Sequence, residues 1–122
     1  MTLPTRPGNN ALGAFGERLA ERHLTDDGYT VLDRNWRCGD GELDLVAGTG
    51  RTVVFCEVKT RRSTRQGGQM DAIDEAKADR IRRLAGRWFK AHPRRWAESR
   101  FEAIGVLVPA RGPIELRHRR MA

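Results

Sequence analysis

The chain has little of what staples small extracellular or zinc-bound domains together. It carries two cysteines in 122 residues, Cys38 and Cys56, with no Cys-x-x-Cys spacing and no histidines clustered beside them. That excludes a disulfide-rich scaffold and argues against structural zinc; both are expected as reduced thiols of a cytoplasmic protein, with Cys56 packed in the core. Long apolar runs are also missing. No stretch approaches the roughly 18 residues of a membrane-spanning helix, and the opening MTLPTRPGNN has no apolar segment behind its basic residue, so no secretory signal is expected. Acidic residues are in the minority, 16 against 23 Lys and Arg, for a formal charge of +7. The arginines are mixed with acids along periodic segments, which excludes a disordered basic arm. The excess potential favours a polyanion, nucleic acid first.

What is present is a regular alternation of helical and extended patterns. Residues 1–10 are rich in Pro, Gly and Asn and are expected to be disordered; residues 11–122 form a single domain, long enough to bury a core. Leu12, Phe15 and Leu19, extended by Ala20 and Leu24, make the stripe of a first helix that ends at Asp27 and Gly28. YTVLDRNWR (29–37) reads as a strand, CGDG as a turn, and residues 42–47 and 52–60 as two strands joined by GTGR. The polar segment RRSTRQGGQ (61–69) reads as a loop. A long helix is expected from about Asp71 to His92, where Pro93 stops it; Ile81, Leu84, Ala85 and Trp88 share one face. Strands over 101–108 and 114–118 close the chain. The order α-β-β-β-α-β-β gives an α/β fold, a mixed sheet flanked by helices. VVFCEV, apolar on both faces, is its central strand.

Three charged residues interrupt these core strands: Asp44, Glu57 and Lys59. Burying charge is costly unless something pairs with it. Glu57 and Lys59 are two apart and project from one face, and antiparallel pairing can bring Asp44 opposite them. Two converging carboxylates repel unless one is protonated or a cation lies between them. Mg²⁺ prefers hard oxygen ligands and commonly takes only one or two carboxylates. Lys59 beside such an ion can position water or neutralise charge on a phosphate. The bland reading is a salt-bridged Glu57–Lys59 pair at a strand end. Glu17 sits at the edge of the first helix's apolar stripe and is as readily an ordinary exposed glutamate.

Taken in order, AFGERLAERHL, GYTVLDRNWR, GELDLVA, VVFCEVKTR, the helix with Lys77 and Arg80 in EAKADRIRRLA, and RFEAIGVLV resemble the YraN-type family of small endonuclease-like proteins, from about residue 13 to 118. The resemblance implies a restriction-endonuclease-like core of the PD-(D/E)XK type, similar to Holliday-junction resolvases. It implies that Asp44, Glu57 and Lys59 are catalytic, that Asp44 and Glu57 hold Mg²⁺ or Mn²⁺, and that Glu17 is a supplementary ligand and site residue. It also makes a homodimer plausible. One departure is visible: the family's later strand opens Arg-Phe-Asp, whereas this chain has Arg100-Phe101-Glu102.

Arg61, Arg62 and Arg65, directly after the site, are the expected nucleic-acid contacts. Arg80, Arg82, Arg83 and Arg87 read better as a solvated helix face with pairs such as Asp79–Arg83. Trp88 fits the core; Trp96 covers a core edge or an interface. His23, His92 and His118 show no ligand spacing. The expected function is a metal-dependent endonuclease acting on DNA, branched or single-stranded. The alternatives are an inactive nucleic-acid-binding module of nuclease fold and a protein-interaction subunit.

Overall fold

Apolar residues at helical spacing in two segments, and at alternating positions in the strands between them, require two layers of packing, one on each side of a sheet. The computed structural model describes residues 6–63 and 75–121 and has this arrangement. A short 3₁₀ turn (Asn9–Ala11) leads into α1 (Leu12–Asp26). Next come β1 (Thr30–Cys38), β2 (Gly41–Thr49), β3 (Thr52–Arg61), α2 (Glu75–Ala91), β4 (Glu98–Leu107) and β5 (Glu115–Arg120). The five strands form one mixed sheet in chain order, in which only β3 and β4 run parallel. That parallel step needs a crossover, which α2 supplies.

Alternation along β3 splits the core in two. Val54 and Cys56 join Phe15, Ala20 and Leu24 of α1, together with Leu45, Ala47, Ile104 and Val106. Val53 and Phe55 join Ile81, Leu84, Ala85 and Trp88 of α2, together with Leu43 and Val46. Both strand faces are therefore dry, which is why β3 is apolar throughout its first half. Cys56 is a free, buried thiol whose pKa burial pushes up. Trp88 also donates its indole N–H to Asp33 Oδ2 at 2.8 Å, and His92 Nε2 meets the same oxygen at 3.1 Å. Trp96 covers the α2-side core at Gly48, where a methyl group would come within 2.8 Å of the indole. Arg94 stacks on its ring at 4.0 Å.

Element boundaries follow the expected ones closely. β4 starts at Glu98, three residues before the apolar run. Residues 64–74, which include the expected start of the second helix and most of the basic loop, lie outside the described residues.

Candidate active site

The β2–β3 ladder is regular from Thr49↔Thr52 to Leu45↔Cys56, and there it stops. Beyond it β2 stays paired with β1 through Trp36↔Leu43 to Cys38↔Gly41, while β3 stays paired with β4 through Glu57↔Ala103 to Arg61↔Leu107. The sheet thus forks between two central strands, and the fork opens at Asp44 and Glu57. The Val58 N–H, which has lost its strand partner, donates instead to Asp44 Oδ2 at 2.8 Å.

Backbone geometry explains why the fork forms here. Asn35 in β1 has φ of 50°, a left-handed conformation that Asn adopts more readily than other side-chain-bearing residues. Its neighbours consequently face opposite ways: Arg34 reaches Glu21 on α1, while Trp36 packs in the α2-side core. Their partners Leu45 and Leu43 divide between the same two cores. Both strands reverse face at the level of Asp44, whose side chain is left in the gap.

The carboxylates of the fork feel one another. Burial first, and the Glu57 charge second, push the Asp44 pKa from 3.8 to about 7, against the opposing hydrogen bond from Val58; Glu17 and Glu42 add to the rise. Glu57 is also raised by burial, but Arg80, Lys77 and Lys59 pull it back. Glu17 is raised by burial and by Glu42, opposed by Asn35. Turned so that its NH₂ faces the acids, the Asn35 amide donates to Glu17 Oε2 at 3.2 Å and to Glu42 Oε1 at 2.6 Å. Glu17 reaches the fork because α1 runs very close to β3. A methyl group at the preceding Gly16 would overlap the Thr60 side chain.

The structure therefore brings Asp44, Glu57, Lys59 and Glu17 into one electrostatic neighbourhood and adds Glu42, Asn35, Lys77 and Arg80 to it. Arg80 lies on an exposed face, as its place in the helix suggests, and its charge also bears on Glu57. No sequence period announces Asn35, since its role depends on a backbone angle. Asp79 pairs with Arg82 at 3.2 Å rather than with Arg83, and Arg87 pairs with Asp40. Arg61 follows Glu57 and Lys59 on the same alternation, and its Nε is buried with no hydrogen-bond partner among the described residues. Arg62 donates to the Pro7 carbonyl. Arg65 lies outside the described residues.

Glu102 does not belong to this site. It sits opposite Cys56, one step out of phase with Glu57, and therefore on the α1 face. There it is buried and meets His118 Nε2 at 2.5 Å, while His118 Nδ1 meets His23 Nε2 at 3.0 Å. This chain of three side chains ties β4, β5 and α1 together. Two histidines without sequence-level ligand spacing thus have a structural role, His118 bridging Glu102 and His23.

The donor set suits a hard, hydrated cation. Among the described residues no group of three or more His, Cys, Asp or Glu side chains converges tightly enough to hold an ion alone. Asp44 and Glu57 supply two carboxylates whose mutual repulsion a cation would relieve, which matches the one or two that Mg²⁺ commonly takes, the rest of its shell being water and phosphate oxygen.

Comparison with known proteins gives one family and many relatives. Residues 16–106 match the model of "Uncharacterised protein family UPF0102". A UPF0102 protein of Frankia casuarinae is 51% identical over 113 residues, 93% of this chain and 96% of that protein. One from Frankia alni is 51% identical over 93% of this chain and 94% of its own length. One from Mycobacterium avium is 48% identical over 97% and 94% respectively.

Proposed function

We propose that this chain, which belongs to the uncharacterised protein family UPF0102, is a metal-dependent nuclease that hydrolyses phosphodiester bonds of DNA, with branched or single-stranded structures as its substrates. UPF0102 is the YraN-type family that the sequence motifs resemble. The observation that carries the proposal is the fork itself. A sheet that gives up ladder hydrogen bonds to hold Asp44 and Glu57 together, both with raised pKa, stores a repulsion that a divalent cation removes.

Asp44 and Glu57 would hold Mg²⁺ or Mn²⁺, with Glu17 steadying the outer side. Such an ion supplies an activated water and a polarised phosphoryl oxygen. The protein's own residues do the rest. Val58 fixes one Asp44 oxygen and so aims the other. Lys77 and Arg80 oppose the rise that burial imposes on the Glu57 pKa. Lys59, on the strand face shared with Glu57, offsets negative charge that builds on the phosphate under attack. Arg61, two residues beyond Lys59 on the same strand face, would add positive charge beside the phosphate. Action as a homodimer and residence in the cytoplasm belong to the same proposal.

The loose ligand set favours one second reading, a nucleic-acid-binding module that performs no cleavage. Incubating the protein with single-stranded, flapped and four-way-junction DNA in Mg²⁺ or Mn²⁺ separates the two. Cleavage by the wild type that Glu57→Gln abolishes without loss of DNA affinity supports the nuclease. Salt-sensitive binding with no cleavage of any substrate supports the module.

A further inference from the structure

Glu102 is a buried acid of β4, and strand pairing sets His118 diagonal to it, since Ile104, two residues on, pairs with His118. His118 Nε2 meets Glu102 Oε1 at 2.5 Å, and its Nδ1 meets His23 Nε2 at 3.0 Å. A carboxylate held against one imidazole nitrogen keeps the ring proton there. The lone pair is left on the other nitrogen, here Nδ1, turned toward His23. This is how proteins orient a metal-binding histidine and raise its basicity. His23 stands in the last turn of α1, and the fully buried Leu24 beside it anchors that end of the helix on the sheet.

Solvent reaches the two rings. The His118 side chain is 23% exposed, and both histidines line an open cleft of about 420 Å³ that they share with Asp26 and Asp27. Both aspartates are exposed, and their charge at the rim favours a cation. The spacing fits as well. Two nitrogens bound to one ion at about 2.0–2.1 Å lie roughly 2.9–3.4 Å apart, for angles between square and tetrahedral. The 3.0 Å now bridged by one proton falls inside that range. Two imidazole nitrogens would be the direct ligands and water the rest of the shell. That agrees with there being no tight group of three ligands among the described residues.

We infer that His23 Nε2 and His118 Nδ1, with Glu102 steadying His118, form a site for a borderline transition-metal ion such as Zn²⁺. The ion takes the place of the proton between the rings, which moves to His23 Nδ1, so both imidazoles stay neutral. Imidazole suits Zn²⁺ and holds Mg²⁺ and Mn²⁺ poorly, so this pair and the carboxylate fork select different ions. An ion here cross-links the last turn of α1 to β5. The inference is independent of the nuclease reading, because Glu102 lies one step out of phase with Glu57 and on the opposite face of the sheet.

The test is a Zn²⁺ titration of the full chain in excess Mg²⁺, followed through the imidazole NMR signals. The chain has three histidines, and His92, stacked on Trp88, serves as the internal control. The His23 and His118 signals should shift together and saturate at one equivalent while His92 stays in place. This arm needs no substitution, so the inference can fail on the wild type alone. His23→Gln leaves the His118–Glu102 contact intact. It should weaken Zn²⁺ binding by ~10-fold or more and abolish the rise in melting temperature that Zn²⁺ gives the wild type. Signals of His23 and His118 that do not move, a shift of His92 as large as theirs, or unchanged affinity in His23→Gln would each overturn the site.

Discussion

The Asp44 carboxylate takes a hydrogen bond from the Val58 amide at 2.8 Å, in the place where the next rung of the β2–β3 ladder would otherwise lie. A strand that trades a backbone partner for a side-chain acid has made that acid part of its architecture. The acid is also under electrostatic strain, since burial first and the Glu57 charge second raise its pKa against the Val58 hydrogen bond.

That strain has a sign. The unfolded chain ionises Asp44 near 3.8 and the folded protein near 7. Between those values the folded state holds the extra proton, so stability falls as pH rises from about 4 through 7. Asp44→Asn, which keeps an oxygen for Val58, should be nearly neutral at pH 4. At pH 8 in chelator it should stabilise by roughly 1–3 kcal/mol after allowance for solvent screening. Urea melts at the two pH values check this; a variant less stable than wild type at pH 8 would mean that the charge is already compensated.

Lys77 and Arg80 lower the Glu57 pKa across the gap between α2 and β3. Removing them as Lys77→Ala/Arg80→Ala should move the pH dependence of metal binding upward, because ligands must be deprotonated to bind. Metal-induced thermal shifts measured from pH 5 to 9 show the displacement. An unmoved profile would assign both residues to the substrate alone.

Much of this was legible in the sequence, and the reasons are physical. Helix and strand order followed from hydrophobic period, and the shared face of Glu57 and Lys59 from their spacing of two. Asp44 was legible as an acid where a core strand should be apolar. The fork was not, because it depends on where a ladder ends and on the φ of Asn35, and neither leaves a periodic trace. Lys77 and Arg80 stood among the matching motifs, but their effect on Glu57 was not readable, because it depends on how α2 lies against β3. Glu102 and the two histidines are far apart in sequence and meet only through the pairing of β4 with β5 and the packing of α1 on the sheet.

The close approach of α1 to β3 supports another prediction. A methyl at Gly16 would overlap Thr60, so Gly16→Ala should cost about 1–3 kcal/mol by overpacking. Thr60→Ala should recover part of that cost, giving a non-additive double-mutant cycle. Additive costs would show that the helix simply shifts. Because Glu17 follows Gly16, the single variant should weaken metal binding as well.

Glu102 has the opposite profile. Glu102→Ala leaves His118 without its acid and should destabilise by roughly 1–3 kcal/mol. The same loss should appear for His118→Ala, with strong coupling between the two. Metal affinity should not change, since the cluster lies on the other face of the sheet. A loss of metal binding without loss of stability would place Glu102 in the site after all.

The most direct measurement is a calorimetric Mn²⁺ titration at pH 8 of the wild type, Asp44→Asn and Glu57→Gln. A carboxylate pair built for a cation predicts binding to the wild type that each substitution removes while the fold persists. Binding that survives in both variants, or a wild type that takes up no Mn²⁺ with or without a DNA oligonucleotide present, would contradict it.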